Sequence, residues 1–157
     1  MKTYIINPDN GKKTTIEEWR KEADPTRATV LAIETDDGHL LLISKSYLPC
    51  GEVKWEEAQK ACAAFTPEGL KGITFRAPTR KETLDIYDAR FQGLDEAIAL
   101  TGGNYAHNPD RNWYWTSEKD SDPKYAYGAW CSVGGSGCMY YSVVFNAILA
   151  LPVTLLT

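Results

Sequence analysis

Short, β-prone apolar runs between polar turn residues in the first third of the chain predict strands joined by turns. Tyr4-Ile5-Ile6 is a β-prone apolar run, and the turn-forming residues 7–11 close it. Val30–Glu34 and Leu40–Ser44 are apolar segments on either side of residues 36–38, which have the sequence Asp-Asp-Gly. Because Asp-Gly supplies the positive φ of a tight primed turn, the two segments are predicted to form a hairpin.

Helical spacing of apolar residues predicts one helix before this hairpin and one after it. Thr14 stands three residues before Glu17, which is the spacing of a capping box, and Trp19 and Ala23 follow at helical intervals. Pro25 is expected to end this first helix. A second helix is predicted from apolar residues that recur on one face: Trp55, Ala58, Cys62 and Phe65.

Two further helices are predicted before the chain changes character. Thr79 and Glu82 form another capping-box pair, and the stripe Leu84, Tyr87 and Phe91 marks the expected buried face. A weaker helix runs over residues 94–100 and stops at a Gly-Gly pair. Beyond residue 104 the chain is rich in Trp, Tyr, Ser and Gly, which predicts strands and loops. This order of elements favours an α+β fold in one domain.

Length and charge exclude several classes of function. The 157 residues are 43% hydrophobic and 24% charged, as in one globular domain. The net charge of -4 argues against nucleic acid, whose phosphates require a concentrated basic face. No apolar run reaches the ~20 residues of a membrane span, so no membrane insertion is expected. The first ten residues lack the apolar core of a signal peptide, which predicts a protein that is cytoplasmic when made.

The four cysteines show no metal-binding spacing. Cys50, Cys62, Cys131 and Cys138 contain no Cys-x-x-Cys pair. Without an export signal, free thiols are the default expectation. Cys131 and Cys138 flank Ser-Val-Gly-Gly-Ser-Gly, so a disulfide across a hairpin stays open as the alternative.

Carboxylates and histidines do not form a convincing site either. Glu118, Asp120 and Asp122 alternate as calcium ligands do, but the sharp Gly turn and the distal Glu of a calcium loop are missing. A solvated loop is the better interpretation. His39 and His107 are the only histidines, and no Ser or Cys occupies a nucleophile elbow near them in the sequence. We therefore expect no catalytic residues, no metal and no cofactor.

Five short motifs follow one another in a distinctive order. They are VKWEEAQKACAAF at residues 53–65, RAPTRKE at 76–82, WTSE at 115–118, Ala129-Trp130 and Pro152-Val153. Together they resemble a bacterial domain family of unknown function that has the C-type lectin-like fold. The corresponding family features are the first helix, the entry to the second helix, a Tyr-Trp-Ser-Ser-Thr-Glu motif, an Ala-Trp strand and a terminal Arg-Pro-Val. The resemblance covers residues 28–155.

The resemblance implies an α+β, C-type lectin-like fold in a single domain over residues 1–157. Residues 1–27 would be an N-terminal extension of one strand and one helix, and residues 28–157 would be the lectin-like core. Two main helices would pack on one side of a small twisted antiparallel sheet, with an irregular, loop-rich C-terminal region and chain ends close together. The Glu-Pro-Asn and Trp-Asn-Asp motifs of calcium-dependent lectins are absent, so calcium-dependent sugar binding is not expected.

Relatives with this fold serve as receptor-binding tips of phage tails and as variable proteins diversified by retroelements. The resemblance therefore implies a non-catalytic, ligand-binding phage or prophage protein, associated with the virion, that recognises a cell-surface protein or glycan. Tyr offers contact area with few rotatable bonds, and Ser, Gly and Asn offer adaptable hydrogen bonds. The residues expected to contact the ligand are Trp113, Tyr125, Tyr127, Cys131, Tyr140, Tyr141, Phe145 and Asn146. Trp115 and Trp130, in contrast, are expected in the core.

Two other functions stay open. The formylglycine-generating enzymes share the lectin-like fold and use cysteines of the C-terminal sheet, so Cys131 or Cys138 would be the nucleophile of such a thiol enzyme. The apolar tail would instead suit a structural or assembly domain that forms homo-oligomers. The fold by itself does not choose between a binding module, an enzyme and an assembly domain.

Overall fold

The computed structural model describes residues 2–104, 113–119, 128–133 and 139–156, and the fold is stated for these residues. The helices are α1 (Ile16–Trp19), α2 (Trp55–Ala63), α3 (Arg80–Ala89) and α4 (Leu94–Thr101). The strands are β1 (Thr3–Ile6), β2 (Lys13–Thr15), β3 (Val30–Glu34), β4 (Leu40–Ser44), β5 (Trp113–Lys119), β6 (Gly128–Val133), β7 (Met139–Val143) and β8 (Val153–Leu156). Within this part of the chain, no helix is both long enough and apolar enough to cross a membrane.

The described strands form two antiparallel sheets. One has five strands in the order β2-β1-β3-β4-β8, and the other has three in the order β5-β6-β7. The combination of helices with antiparallel sheets confirms the predicted α+β class. Strand pairing aligns Thr3 with Ile33, Leu41 and Leu155 in turn. Thr3 and Leu155 therefore lie at the same end of the five-stranded sheet, with β3 and β4 between them.

Both faces of the five-stranded sheet are covered, which explains why its central strands are apolar throughout. One face packs against α3 and α4 in a cluster whose fully buried members include Ile5, Leu31, Ile33, Leu41, Ile43, Ile86, Leu94 and Ala97. The opposite face packs against the segment between α2 and α3 in a cluster that contains Ile6, Val30, Ala32, Leu42, Leu70 and Phe75. Alternate residues of each strand thus enter different cores.

The β3–β4 hairpin is confirmed with the predicted bounds, but its turn differs from the prediction. The loop is longer than a two-residue primed turn: the Gly38 amide donates to the Thr35 carbonyl at 2.9 Å, and the Thr35 amide donates to the His39 carbonyl at 2.8 Å. Gly38 supplies the positive φ, at 82°. The Thr35 hydroxyl also accepts from the His39 amide at 3.2 Å, and this additional bond stabilises the longer loop.

The first helix begins one residue later than predicted. Thr14 is extended and pairs with Ile5 in the sheet, so Thr15 becomes the N-cap and accepts from the Glu18 amide at 3.2 Å. The helix is a single turn that ends at Trp19, and Ala23 lies beyond it. The strand β2 therefore takes the position that the capping-box spacing suggested for the helix start.

Helices α2 and α4 confirm the predicted elements. Ala58 and Cys62 are the buried residues of α2, whereas Phe65 lies past its end and packs edge-on against Phe75 with ring centroids 5.0 Å apart. Helix α4 ends where the Gly-Gly pair begins, because Gly102 adopts the left-handed C-cap conformation with φ 73°.

Helix α3 has the predicted capping box but a different buried face. The Thr79 hydroxyl accepts from the Glu82 amide, and the Glu82 carboxylate accepts from the Thr79 amide. The predicted stripe is wrong, since Leu84 is 47% exposed and Phe91 is 74% exposed. The residues that α3 buries are Glu82, Thr83, Ile86 and Ala89. Two of these four buried residues are polar. The spacing of apolar residues alone therefore indicates a neighbouring face of the helix.

The buried Glu82 carboxylate is held by Arg76 in a two-pronged ion pair. The guanidinium donates to both carboxylate oxygens, at 2.6 and 2.8 Å, and the Thr79 amide donates at 2.8 Å. Burial raises the pKa of Glu82, but the hydrogen bonds from Arg76 and Thr79 and the charge of Arg76 outweigh burial and leave the pKa below its ordinary value. The carboxylate is therefore ionised at neutral pH and depends on its partner.

Replacing Arg76, which is itself 40% exposed, with alanine is expected to destabilise the fold by about 2 kcal/mol at pH 7, because it leaves the buried Glu82 charge without its ion-pair partner. The Glu82 side chain is only 7% exposed. The matched control is Arg20→Ala, whose partner Glu96 is 55% exposed and stays solvated. The control is expected to lose less than about 1 kcal/mol. Urea unfolding measures both values.

The pH dependence gives a second test of the same pair. Because the folded-state pKa of Glu82 is lowered, its stabilising effect is present above the ordinary value near 4.5 and is lost as the pH falls through the folded-state pKa. In the Arg76→Ala variant, burial acts without the guanidinium, and protonation relieves the buried charge. The stability difference between wild type and Arg76→Ala should therefore shrink between pH 7 and pH 4. An unchanged difference would contradict this assignment.

Candidate ligand-binding site

Helices contact both faces of the three-stranded sheet that carries the candidate site. On one face, Trp115 and Cys131 pack with Ala58 and Cys62 of α2. On the other face, α3 approaches β6 and β7. Residues of α3 contact this face twice: the Arg80 guanidinium lies 4.8 Å from the Trp130 ring centre, and the Thr83 hydroxyl lies 3.2 Å from the Met139 sulfur. The expected core position of Trp115 is confirmed, and Trp130 is half-buried.

Backbone hydrogen bonds fix the segment of residues 147–149 on both sides. On one side, Ile148 exchanges two bonds with Val53, each of 2.9 Å. On the other side, the Leu149 amide donates to the Trp113 carbonyl and the Trp115 amide donates to the Leu149 carbonyl, both at 3.0 Å. The Trp115 indole also donates to the Val53 carbonyl at 2.8 Å. Three chain segments that are distant in sequence are thereby held side by side.

A groove of about 320 Å³ lies over this backbone scaffold. Among the described residues, its lining consists of Glu52, Trp113, Ser142, Asn146, Ala147 and Ile148. The Asn146 amide donates to the Ser142 hydroxyl at 2.8 Å, and the Asn146 backbone closes a turn onto Val143 at 3.0 Å. The volume is near the lower end of small-molecule sites, so it suits one side chain or one sugar ring.

An aromatic pair borders the groove. Trp113 stacks on Tyr140 with ring centroids 4.9 Å apart and planes inclined by 28°. Sheet register places both on the face of Trp115 and Cys131, because Trp113 is two residues before Trp115 and Tyr140 lies directly opposite Cys131. Trp113 is 36% exposed and Tyr140 is 46% exposed. The predicted exposure of Trp113 is confirmed.

The structure brings together some of the residues predicted to contact a ligand and separates others. Trp113, Tyr140 and Asn146 lie at the groove or the aromatic pair, and Phe145 is exposed in the turn next to Asn146. Cys131 is fully buried in the core, so it does not belong to this surface. The remaining predicted residues lie in part or wholly outside the described structure: the Tyr141 side chain, Tyr125 and Tyr127.

Sequence reasoning missed Glu52. It lies 61 positions before Trp113, and only the pairing of Val53 with Ile148 carries it to the groove. Ser142 is a second lining residue, and its role as hydrogen-bond partner of Asn146 depends on the turn after β7. Neither position carries a local sequence signal that would have identified it.

The described cysteines are free thiols, and two of them are buried. Burial, with a smaller contribution from the nearby Cys50, raises the pKa of Cys62 to about 12. Burial raises the pKa of Cys131 to about 11. A nucleophilic thiol requires a lowered pKa and solvent access, and Cys131 has neither. Cys138 lies outside the described residues. In the described part of the chain, no cluster of three or more His, Cys, Asp or Glu is placed to hold a metal ion.

Thiol labelling tests this assignment. In a Cys138→Ser background, iodoacetamide at pH 8 is expected to modify the exposed Cys50 rapidly, because its thiol is accessible. Cys62 and Cys131 should react only after denaturation, since they are buried and their pKa values are raised. Peptide mass spectrometry identifies the labelled residue. Rapid native labelling of Cys131 would contradict its assignment to the core and would favour thiol chemistry.

No protein-family model matches this chain, and no curated protein is significantly similar to it. A functional assignment therefore depends on the chain's own residues. The geometric features that support one are the stacked, partly exposed aromatic pair and the groove beside it, both held on hydrogen-bonded backbone.

Proposed function

We propose that this protein is a non-catalytic ligand-binding module of the C-type lectin-like kind. The groove and the Trp113–Tyr140 pair would recognise a cell-surface protein or glycan. The biological setting that fits best is a phage or prophage receptor-binding protein or a retroelement-diversified variable protein. The observation that carries the proposal is the partly exposed aromatic stack beside a groove built on fixed backbone.

The energetics favour a binding role for the stack. Trp and Tyr are enriched among the residues that dominate binding energy, because each buries a large area when a partner covers it. Since the two rings already pack on each other, little side-chain freedom remains to be lost when a ligand binds. The backbone bonds that join residues 53, 113 and 148–149 limit movement of the groove in the same way.

The separation of scaffold from surface supports a diversified role. Neighbouring residues of β5 have opposite environments: Tyr114 and Trp115 are buried, whereas Trp113 is exposed at the strand's beginning. In the turn after β7, Phe145 and Asn146 are likewise exposed. Substitutions at exposed positions leave the cores intact, so this surface tolerates variation without loss of the fold.

Binding to cells tests the proposed surface. Fluorescently labelled wild type, Trp113→Ala and Tyr140→Ala would be measured by flow cytometry on a panel of bacterial strains, with a glycan array in parallel. Each variant is expected to lose about tenfold or more in affinity, as truncation of an aromatic hot spot does. The matched control is Phe91→Ala, an exposed aromatic in the single 3-10 turn that follows α3, which should bind as wild type does.

Two results would contradict the proposal. One is unchanged binding by both Trp113→Ala and Tyr140→Ala on a strain that wild type binds. The other is a loss confined to Phe91→Ala, which would move the binding surface to α3. Circular dichroism and urea unfolding of every variant separate lost contacts from lost folding.

Sequencing of the gene across a host population tests the diversified role. Substitutions are expected to concentrate at the exposed positions Trp113, Tyr140, Phe145 and Asn146. The buried Trp115 should stay constant, because a smaller side chain would leave a cavity in the core and would lose the indole hydrogen bond to the Val53 carbonyl. Variation spread evenly over exposed residues of the whole chain would exclude diversification and leave a fixed ligand.

A further inference from the structure

We propose that the groove binds a cationic side chain, an arginine guanidinium presented by a partner protein. This inference rests on the proposed function and names the class of ligand. It combines the charge of the groove, the behaviour of aromatic rings elsewhere in the chain and the hydrogen-bonding capacity of the lining.

The charge of the groove is negative within the described residues. Glu52 is exposed and lines the groove, and none of the other described lining residues is charged. None of the ion pairs formed among the described residues includes Glu52. The whole chain has a net charge of -4, which adds a long-range attraction for cations.

Several aromatic rings in the described part of the chain hold a basic side chain. Three Trp rings do so: Arg27 lies 5.0 Å from the centre of Trp19, Lys119 4.7 Å from Trp55, and Arg80 4.8 Å from Trp130. Trp113 stacks on Tyr140 instead and keeps part of its surface in solvent. A ring beside an acidic groove is a favourable site for a guanidinium, which stacks on aromatic faces and pairs with carboxylates.

Two side chains of the lining carry acceptors that a guanidinium can use. The Asn146 amide nitrogen donates to the Ser142 hydroxyl, which leaves the amide oxygen of Asn146 as an acceptor. Together with the Glu52 carboxylate, this oxygen gives the groove side-chain acceptors for the N–H groups of a cation. A guanidinium has five donors and no acceptor, whereas each sugar hydroxyl both donates and accepts.

Nuclear magnetic resonance of the Trp indole groups tests the inference. The probes are N-acetyl-arginine amide and its neutral isostere N-acetyl-citrulline amide, titrated into ¹⁵N-labelled protein, with Trp113→Phe identifying the Trp113 indole signal. The arginine probe is expected to shift that signal saturably with a millimolar dissociation constant. The citrulline probe should bind about threefold to tenfold more weakly, because it lacks the charge.

The charge partner is tested with a matched pair of variants. Glu52→Gln is expected to weaken binding of the arginine probe by about threefold to tenfold and to reduce its salt dependence. Glu56→Gln changes an exposed carboxylate in the first turn of α2, outside the groove lining, and should bind as wild type does. An equal loss in both variants would indicate a general charge effect and would overturn the inference.

Failure of this inference is distinguishable from failure of the proposed function. If Trp113→Ala abolishes binding to cells while the arginine and citrulline probes bind equally, the surface binds a ligand but not through a cation. A larger shift of the Trp113 signal with methyl glycosides than with the arginine probe would likewise overturn the arginine assignment in favour of a glycan. If no probe shifts the Trp113 indole signal, the arginine assignment is also overturned.

Discussion

The carboxylate of Glu82 is a buried charge that forms an ion pair with Arg76. The segment that contains Arg76 also joins the two sheets. Arg76 exchanges backbone hydrogen bonds of 2.9 and 2.8 Å with Val153, so the guanidinium is anchored at the edge strand of the five-stranded sheet. Glu82 caps α3, and the Pro78 carbonyl within the same segment accepts from the Ser117 amide of β5 at 2.8 Å. Phe75 and Ala77 enter different cores on either side of Arg76. Compensation of this one charge therefore stabilises the segment that joins the two sheets.

Features with local signals were predictable from the sequence, and features created by distant pairing were not. The hairpin and the α3 capping box follow from residues a few positions apart, and both are present in the structure. The predicted buried face of α3 was wrong because Glu82 and Thr83 are buried polar residues, which no hydrophobic pattern indicates. The predicted start of α1 was wrong because Thr14 pairs with Ile5 in the sheet. Strand pairing there prevails over the local capping signal.

The residues of the candidate site likewise divide into those that the sequence could predict and those that it could not. Exposed aromatic residues in a β-rich tail were predictable as a class, and Trp113 and Tyr140 meet in the structure. Alternation alone could not assign Cys131, because it does not say which face of β6 packs against α2, and Cys131 lies on that face. Glu52 was unpredictable in principle, since only the bridge between Val53 and Ile148 relates it to Trp113. The residues of the proposed binding site thus come together through long-range pairing and not through a continuous motif.

The alignment of Thr3 with Leu155 has an architectural consequence. Only β3 and β4 separate the two outer segments, so the entry and exit of the chain are about three strand spacings, or roughly 14 Å, apart at one end of the sheet. A surface loop of another protein can span such a gap with short linkers on both sides. Residues 3–156 can therefore be inserted into a surface loop of a host protein through two nearby attachment points, without interrupting a strand or exposing a core.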